Sequence, residues 1–209
     1  LKAWDPEGVP AEECITNAAG MPLAVDPTNT IFRESMRSIV FDLISGGGLD
    51  ADGFKIDFSA RIPSGPGMHL AGEAWGLELM RAYLDLISSS ARAAKADALV
   101  MSHTPHPYLA DVVDMIRLND VNTGGPILAA ARHRARVARI ACPDALIDTD
   151  NWPMPNKQAW AAYTALQPDL GIPALYFDRG IDATGEVFDE KDFQLVRDTW
   201  ERYRRMRQA

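Results

Sequence analysis

Apolar residues along the chain fall into two patterns, short runs suited to strands and longer stretches with apolar positions three and four apart that suit helices. Phe32, Met36, Ile39, Val40 and Leu43 stripe one predicted helix, opened by Asp26 as N-cap with Pro27 at the first helical position and ended at Gly46-Gly47-Gly48. Leu77, Met80, Tyr83, Leu84 and Ile87 stripe a second, over residues 73–95. A third runs from Pro126 to residue 141, with Pro143 just beyond it, and a fourth is capped by Asn156 and carries Trp160 and Leu166. The last shows Phe193, Val196, Trp200 and Tyr203 on one face. Between these stretches lie apolar runs at residues 54–58, 98–101, 112–118, 145–147 and 172–177, with a stub of a strand at residues 1–4.

The order is strand, helix, strand, helix, with no hairpin signal between strands, which predicts parallel strands joined by crossovers. Polar residues sit where these strands end: Asp57, His103, Asp120, Asp148 with Asp150, and Asp178. Chemistry gathered at C-terminal strand ends predicts a (β/α)8 TIM barrel, and no Gly-rich phosphate loop favours a doubly wound sheet instead. Five strands and a stub fall short of eight. The chain is therefore expected to span about strands 3 to 8 of one catalytic barrel domain, residues 1–209, with the earlier strands outside it. A partner segment or self-association would then be needed to complete the barrel.

The 54–58 run adds chemistry to this outline. Side chains alternate across a strand, so Lys55 and Asp57 share one face and Phe54, Ile56 and Phe58 the other. An ammonium two residues from a carboxylate keeps that carboxylate ionised, as a nucleophile requires, so Asp57 is the candidate nucleophile. An ordinary Lys-Asp pair at a strand end is the alternative.

Composition narrows the classes. The chain has 209 residues, 47% apolar and 24% charged, which suits a globular domain with a sizeable core. A net charge of −8 argues against a nucleic-acid partner, despite the clusters Arg132, Arg134, Arg136, Arg139 and Arg202, Arg204, Arg205, Arg207. No apolar run approaches the ~20 residues of a membrane span, and no signal pattern opens the chain, which leaves the compartment open. Cys14 and Cys142 are too few and too far apart for a disulfide framework or a metal motif.

Gly53-Phe54-Lys55-Ile56-Asp57 resembles the Lys-x-Asp nucleophile strand of the retaining α-glycosidase clan that holds α-galactosidases and family-31-type α-glucosidases. Arg117-Leu118-Asn119-Asp120 follows after one intervening strand, as the acid/base aspartate does in that clan. Asp148-Thr149-Asp150-Asn151-Trp152 is similar to its strand-seven segment, and Trp4-Asp5-Pro6-Glu7 with Asp26-Pro27-Thr28-Asn29 to its strand-three region. Arg117 stands three residues before Asp120, where α-galactosidases commonly have an arginine four before; a bulge would restore the match. Asp114, the other carboxylate of that segment, lies near the strand's start.

The resemblance implies a glycoside hydrolase acting on terminal α-linked sugars by double displacement, with Asp57 as nucleophile and Asp120 as acid/base. It implies a carbohydrate substrate held by Lys55, Arg117, Trp4, Asp5, His103, Asp148, Asp150 and Trp152, and no cofactor or metal. Two rivals are a metal-dependent barrel hydrolase using His103, His106, Asp57 and Asp120, and a barrel fragment that binds sugar without turning it over. His69 and His133 are read as surface or packing residues.

Overall fold

The computed structural model describes residues 4–63, 65–118, 125–151, 153–176 and 179–208. The protein is a mixed α/β structure whose chain divides into two compact units, Leu1–Asp114 and Met115–Ala209.

In the first unit, β1 (Cys14–Thr16) and β2 (Pro22–Val25) form an antiparallel hairpin. Asn17 closes its tip, the side-chain oxygen accepting from the Ala19 and Met21 amides. Buried Asp26 follows, and its carboxylate accepts the Thr28 amide and hydroxyl and the Ala71 amide, which fastens the later loop to the hairpin. Thr16 and His69 add an antiparallel bridge to the same junction.

Helix α1 (Thr30–Ile44) is capped by Asn29, whose side chain accepts from the Ile31 and Phe32 amides. The predicted cap, Asp26, is therefore displaced by three residues, because its oxygens already serve the Thr28 turn and Ala71. Phe32, Val40 and Ile44 are buried, and α1 packs on α2 (Leu77–Ala94). Ile39, expected in the stripe, is exposed. β3 (Gly53–Lys55) and β4 (Leu99–Ser102) pair in parallel, Gly53 opposite Leu99 and Lys55 opposite Met101. A β-carbon on Gly53 would lie 1.9 Å from the Leu99 carbonyl oxygen, so only glycine lets the two strands approach.

In the second unit, β5 (Met115–Arg117) pairs in parallel with β6 (Leu146–Asp148), Arg117 opposite Asp148. Between them runs α3 (Ile127–Ala141), which buries the small residues Ala131, Ala135 and Ala138 and packs on α4 (Lys157–Leu170). Asn156 caps α4 as predicted, accepting from the Ala159 amide. Trp160 is fully buried with its ring 4.2 Å from that of Phe188. A short hairpin of β7 (Gly180–Ile181) and β8 (Glu186–Val187) precedes α5 (Glu190–Gln208), which packs on α4.

Four expectations need correction. Two antiparallel hairpins accompany the parallel pairs, where none was expected; both are too short to show alternation. Residues 172–176 hold no regular strand, only a parallel bridge of Ile172 to Asp148, because beyond Ile172 the Ala174 carbonyl and the Tyr176 amide are bonded to the Gln167 and Asn151 side chains instead. Trp4 lies in a turn at φ 67°, not in an extended strand. The strand predicted over 112–118 shortens to β5 because Asp114, just before it, is bound to Arg92 and to the Val100 amide.

Candidate functional sites

β3 ends at Lys55, and the ladder extends one bond further as the Ile56 amide donates to the Met101 carbonyl at 2.9 Å. Ile56 is fully buried, so alternation turns Asp57 away from the core. The side chain of Asp57 is 39% exposed, and its Oδ1 accepts the Phe58 amide at 3.1 Å. His103, at the exit of β4 and only 6% exposed, brings Nδ1 to 3.7 Å from the same oxygen. That is an electrostatic approach, longer than a hydrogen bond. Lys55 is half-buried two residues earlier on the strand.

Strict alternation fails at Phe58, which adopts φ 56° and turns the chain sharply. A left-handed backbone costs a residue with a β-carbon about 1–2 kcal/mol, so something must hold this one in place. Arg61 covers the Phe58 ring at 4.1 Å. Ser59, fully buried, has its hydroxyl 3.0 Å from that of Ser102 and 3.2 Å from that of Thr104, and its carbonyl accepts the Trp4 indole N–H at 3.0 Å. Trp4 is itself buried against Tyr83, with ring centroids 4.9 Å apart, and burial pushes the Tyr83 phenol up to about 12. Asp5 closes a turn by accepting the Glu7 amide.

The second cluster forms where β5 and β6 end. Arg117, 4% exposed, pairs at 2.6 Å with Asp150, whose side chain is fully buried. The guanidinium also stacks over Tyr176, 5.3 Å from its centroid, and donates to the phenol oxygen at 3.3 Å. Asp150 sits at φ 39°, which aspartate tolerates better than most residues, and its amide donates to Asp148 Oδ1. The Thr149 amide and hydroxyl both donate to the Ile172 carbonyl, and the Tyr176 amide donates to Asn151 Oδ1 at 2.7 Å. Tyr163 on α4 donates its hydroxyl to the Thr149 carbonyl. These bonds fold the segment after β6 back on itself and leave Asp148 half-buried at its mouth.

Burial, reinforced by the charges of Asp150 and Asp148, raises the Tyr163 phenol well above its ordinary value. An unfolded phenol ionises near pH 10, so this contribution to stability is intact below about pH 10 and is lost as pH rises through the higher folded value. Tyr163→Phe removes that loss along with one hydrogen bond worth about 1 kcal/mol. Urea midpoints at pH 8 and pH 11 should therefore fall less with pH in the variant than in the parent protein.

The structure brings together Asp57, His103, Trp4 and Lys55 in one unit, and Arg117, Asp148 and Asp150 in the other. Asp120, Trp152 and Asp178 lie outside the described residues. The sequence reading missed Ser59, Ser102, Thr104, Asn151, Tyr163 and Tyr176. Ser102 and Thr104 flank His103 just past an apolar run, and polarity at a strand exit is the signal that could have found them; Tyr163, in the middle of a predicted helix, gave no such signal. His106, weighed as a metal ligand, accepts the Tyr108 amide on Nδ1 and starts a 3-10 turn. Among the described residues no three His, Cys, Asp or Glu side chains cluster as a metal site. No described helix is long and apolar enough to cross a membrane.

No family model and no curated protein matches the sequence. Among solved structures, the chain is similar to Eubacterium rectale Amy13B, at 12% identity and a TM-score of 0.45, over 71% of this chain and 33% of that one.

Proposed function

We propose that this chain is the later part of a (β/α)8 catalytic barrel of a glycoside hydrolase that removes terminal α-linked sugars, with Asp57 as nucleophile. One observation carries the reading. A half-exposed carboxylate stands at the C-terminal exit of a parallel strand, its Oδ1 fixed by the next backbone amide and approached by a buried imidazole. The carbohydrate class itself comes from the resemblance of residues 53–57 to the α-glycosidase nucleophile strand.

In this mechanism an Asp57 oxygen bonds to the anomeric carbon as the glycosidic C–O bond breaks, and the leaving oxygen takes a proton from Asp120. Water then attacks the same carbon, passes a proton to Asp120 and frees Asp57. The role of Asp120 rests on its place in the chain, three residues past β5. Lys55, Asp148 and Trp152 remain the candidates for holding sugar hydroxyls and a ring face. Trp4, Arg117 and Asp150 are buried and bonded to their own loops, so we assign them to shaping the site. The remaining strands would come from another segment or a second copy.

The test is a panel of aryl α-glycosides assayed on the longest polypeptide that contains this chain. Release of phenol with the sugar product first appearing as the α-anomer supports the reading; a β-anomer product means inversion and removes Asp57 as nucleophile. No release from any α-glycoside, combined with monosaccharide binding, favours the non-catalytic sugar-binding reading.

A further inference from the structure

We infer that Ser59 is a positioning residue for Asp57, working through a hydroxyl clasp between the turn after β3 and the exit of β4. The inference rests on the proposed role of Asp57 as nucleophile and adds to it a residue that never meets substrate.

The argument follows the chain atom by atom. The Asp57 carboxylate is oriented by the Phe58 amide, 3.1 Å from Oδ1. The plane of that amide is set by the Asp57 backbone, and the chain beyond it turns through Phe58 at φ 56°, a conformation that a residue with a β-carbon avoids unless its surroundings impose it. Ser59 comes next, and it is the anchored residue. Its hydroxyl joins those of Ser102 and Thr104 in one chain, and its carbonyl receives the Trp4 indole. The Thr104 amide adds a 3.3 Å bond to the Ser102 hydroxyl, which ties the β4 exit to itself. Ser59, Ser102 and Trp4 are all buried, so water cannot readily replace these bonds if one partner is lost.

Ser102 and Thr104 flank His103, whose imidazole faces Asp57. One clasp therefore holds both the turn that orients the carboxylate and the backbone that carries its imidazole neighbour. A small displacement of an attacking oxygen slows reaction steeply while leaving ground-state binding nearly untouched, which gives the clasp a kinetic signature distinct from mere stability.

The test uses Ser59→Ala in the full polypeptide, with two readouts. The first is amide exchange at Phe58, compared with Ile56, whose amide bonds to Met101 in the strand ladder. The expected result is exchange at Phe58 faster by roughly tenfold or more with Ile56 unchanged. The second is turnover of the best aryl α-glycoside, where kcat should fall roughly tenfold or more while KM stays within about threefold. Adding Ser59→Ala to a Ser102→Ala, Thr104→Ala protein should cost little more, because the three hydroxyls act as a unit.

Unchanged exchange at Phe58 overturns the inference, as does equal acceleration at Ile56, which would mean general loosening. So does an unchanged kcat in a protein whose parent is active. If the parent releases no phenol from any α-glycoside, the glycosidase reading fails by itself, and exchange at Phe58 alone decides whether the clasp holds the carboxylate. Should Ser59→Ala not fold, Trp4→Phe removes the indole donor to the Ser59 carbonyl while keeping an aromatic ring beside Tyr83 and all three hydroxyls, and is read by the same exchange comparison.

Discussion

Asp57→Asn is expected to lower turnover of an aryl α-glycoside by roughly a thousandfold or more while leaving the urea midpoint near that of the parent. The amide matches the carboxylate in shape and its side-chain oxygen can still accept the Phe58 N–H, so the turn survives. What it loses is the charge that attacks carbon. Asp57 is not buried in the core and, among the described residues, forms no short ion pair, so the variant should fold. Small nucleophiles such as azide should recover part of the activity of a more truncated Asp57→Gly protein, because they can occupy the vacated position. Near-parental turnover by Asp57→Asn would remove the nucleophile assignment outright.

The second large effect is on stability, not catalysis. Asp150→Asn should cost about 3–5 kcal/mol, read as a lowered urea midpoint, because it removes the carboxylate charge that sits 2.6 Å from the buried Arg117 guanidinium. Asparagine also tolerates the positive φ at this position, so the loss reports the ion pair and not the backbone. Replacing the two together, Arg117→Met with Asp150→Leu, should recover a large share, since desolvating two charges is costly even when they pair well. A cost below about 1 kcal/mol for Asp150→Asn would mean that the pair is open to water and available to a ligand after all. The outcome thus separates a loop-shaping role for Arg117 and Asp150 from the sugar-binding role that the resemblance implies.

Much of the element order was legible because helices of this length repeat their apolar positions often enough to be recognised. α2, α3, α4 and α5 cover the stretches predicted as helices, and β3, β4, β5 and β6 overlap the predicted apolar runs, β3 starting one residue before its run and β4 and β6 ending one residue after theirs. The hairpins were not legible, since β1 and β2 bring too few residues to display a period of two, and a turn closed by the Asn17 side chain carries no strong dipeptide signal. The cap of α1 was misplaced for a related reason. Asp26 and Asn29 both suit an N-cap, and only the distant Ala71 amide decides which of them is occupied elsewhere.

The site divides in the same way. Asp57, with Lys55 ahead of it and a buried Ile56 between, could be named from alternation in one short strand, because which face a strand residue takes is a local property of the backbone. His103 could be named as polar chemistry at a strand exit, but its approach to Asp57 depends on the parallel register of β3 with β4, which no local pattern encodes. The same holds for Arg117 and Asp150. Sequence alone identifies a cation and an anion at two strand ends. Only the folded chain buries both and closes them on each other under Tyr176. Local periodicity determines the elements and the direction of their side chains, whereas partners far apart in sequence are chosen by packing, where burial makes every unpaired charge or hydroxyl costly.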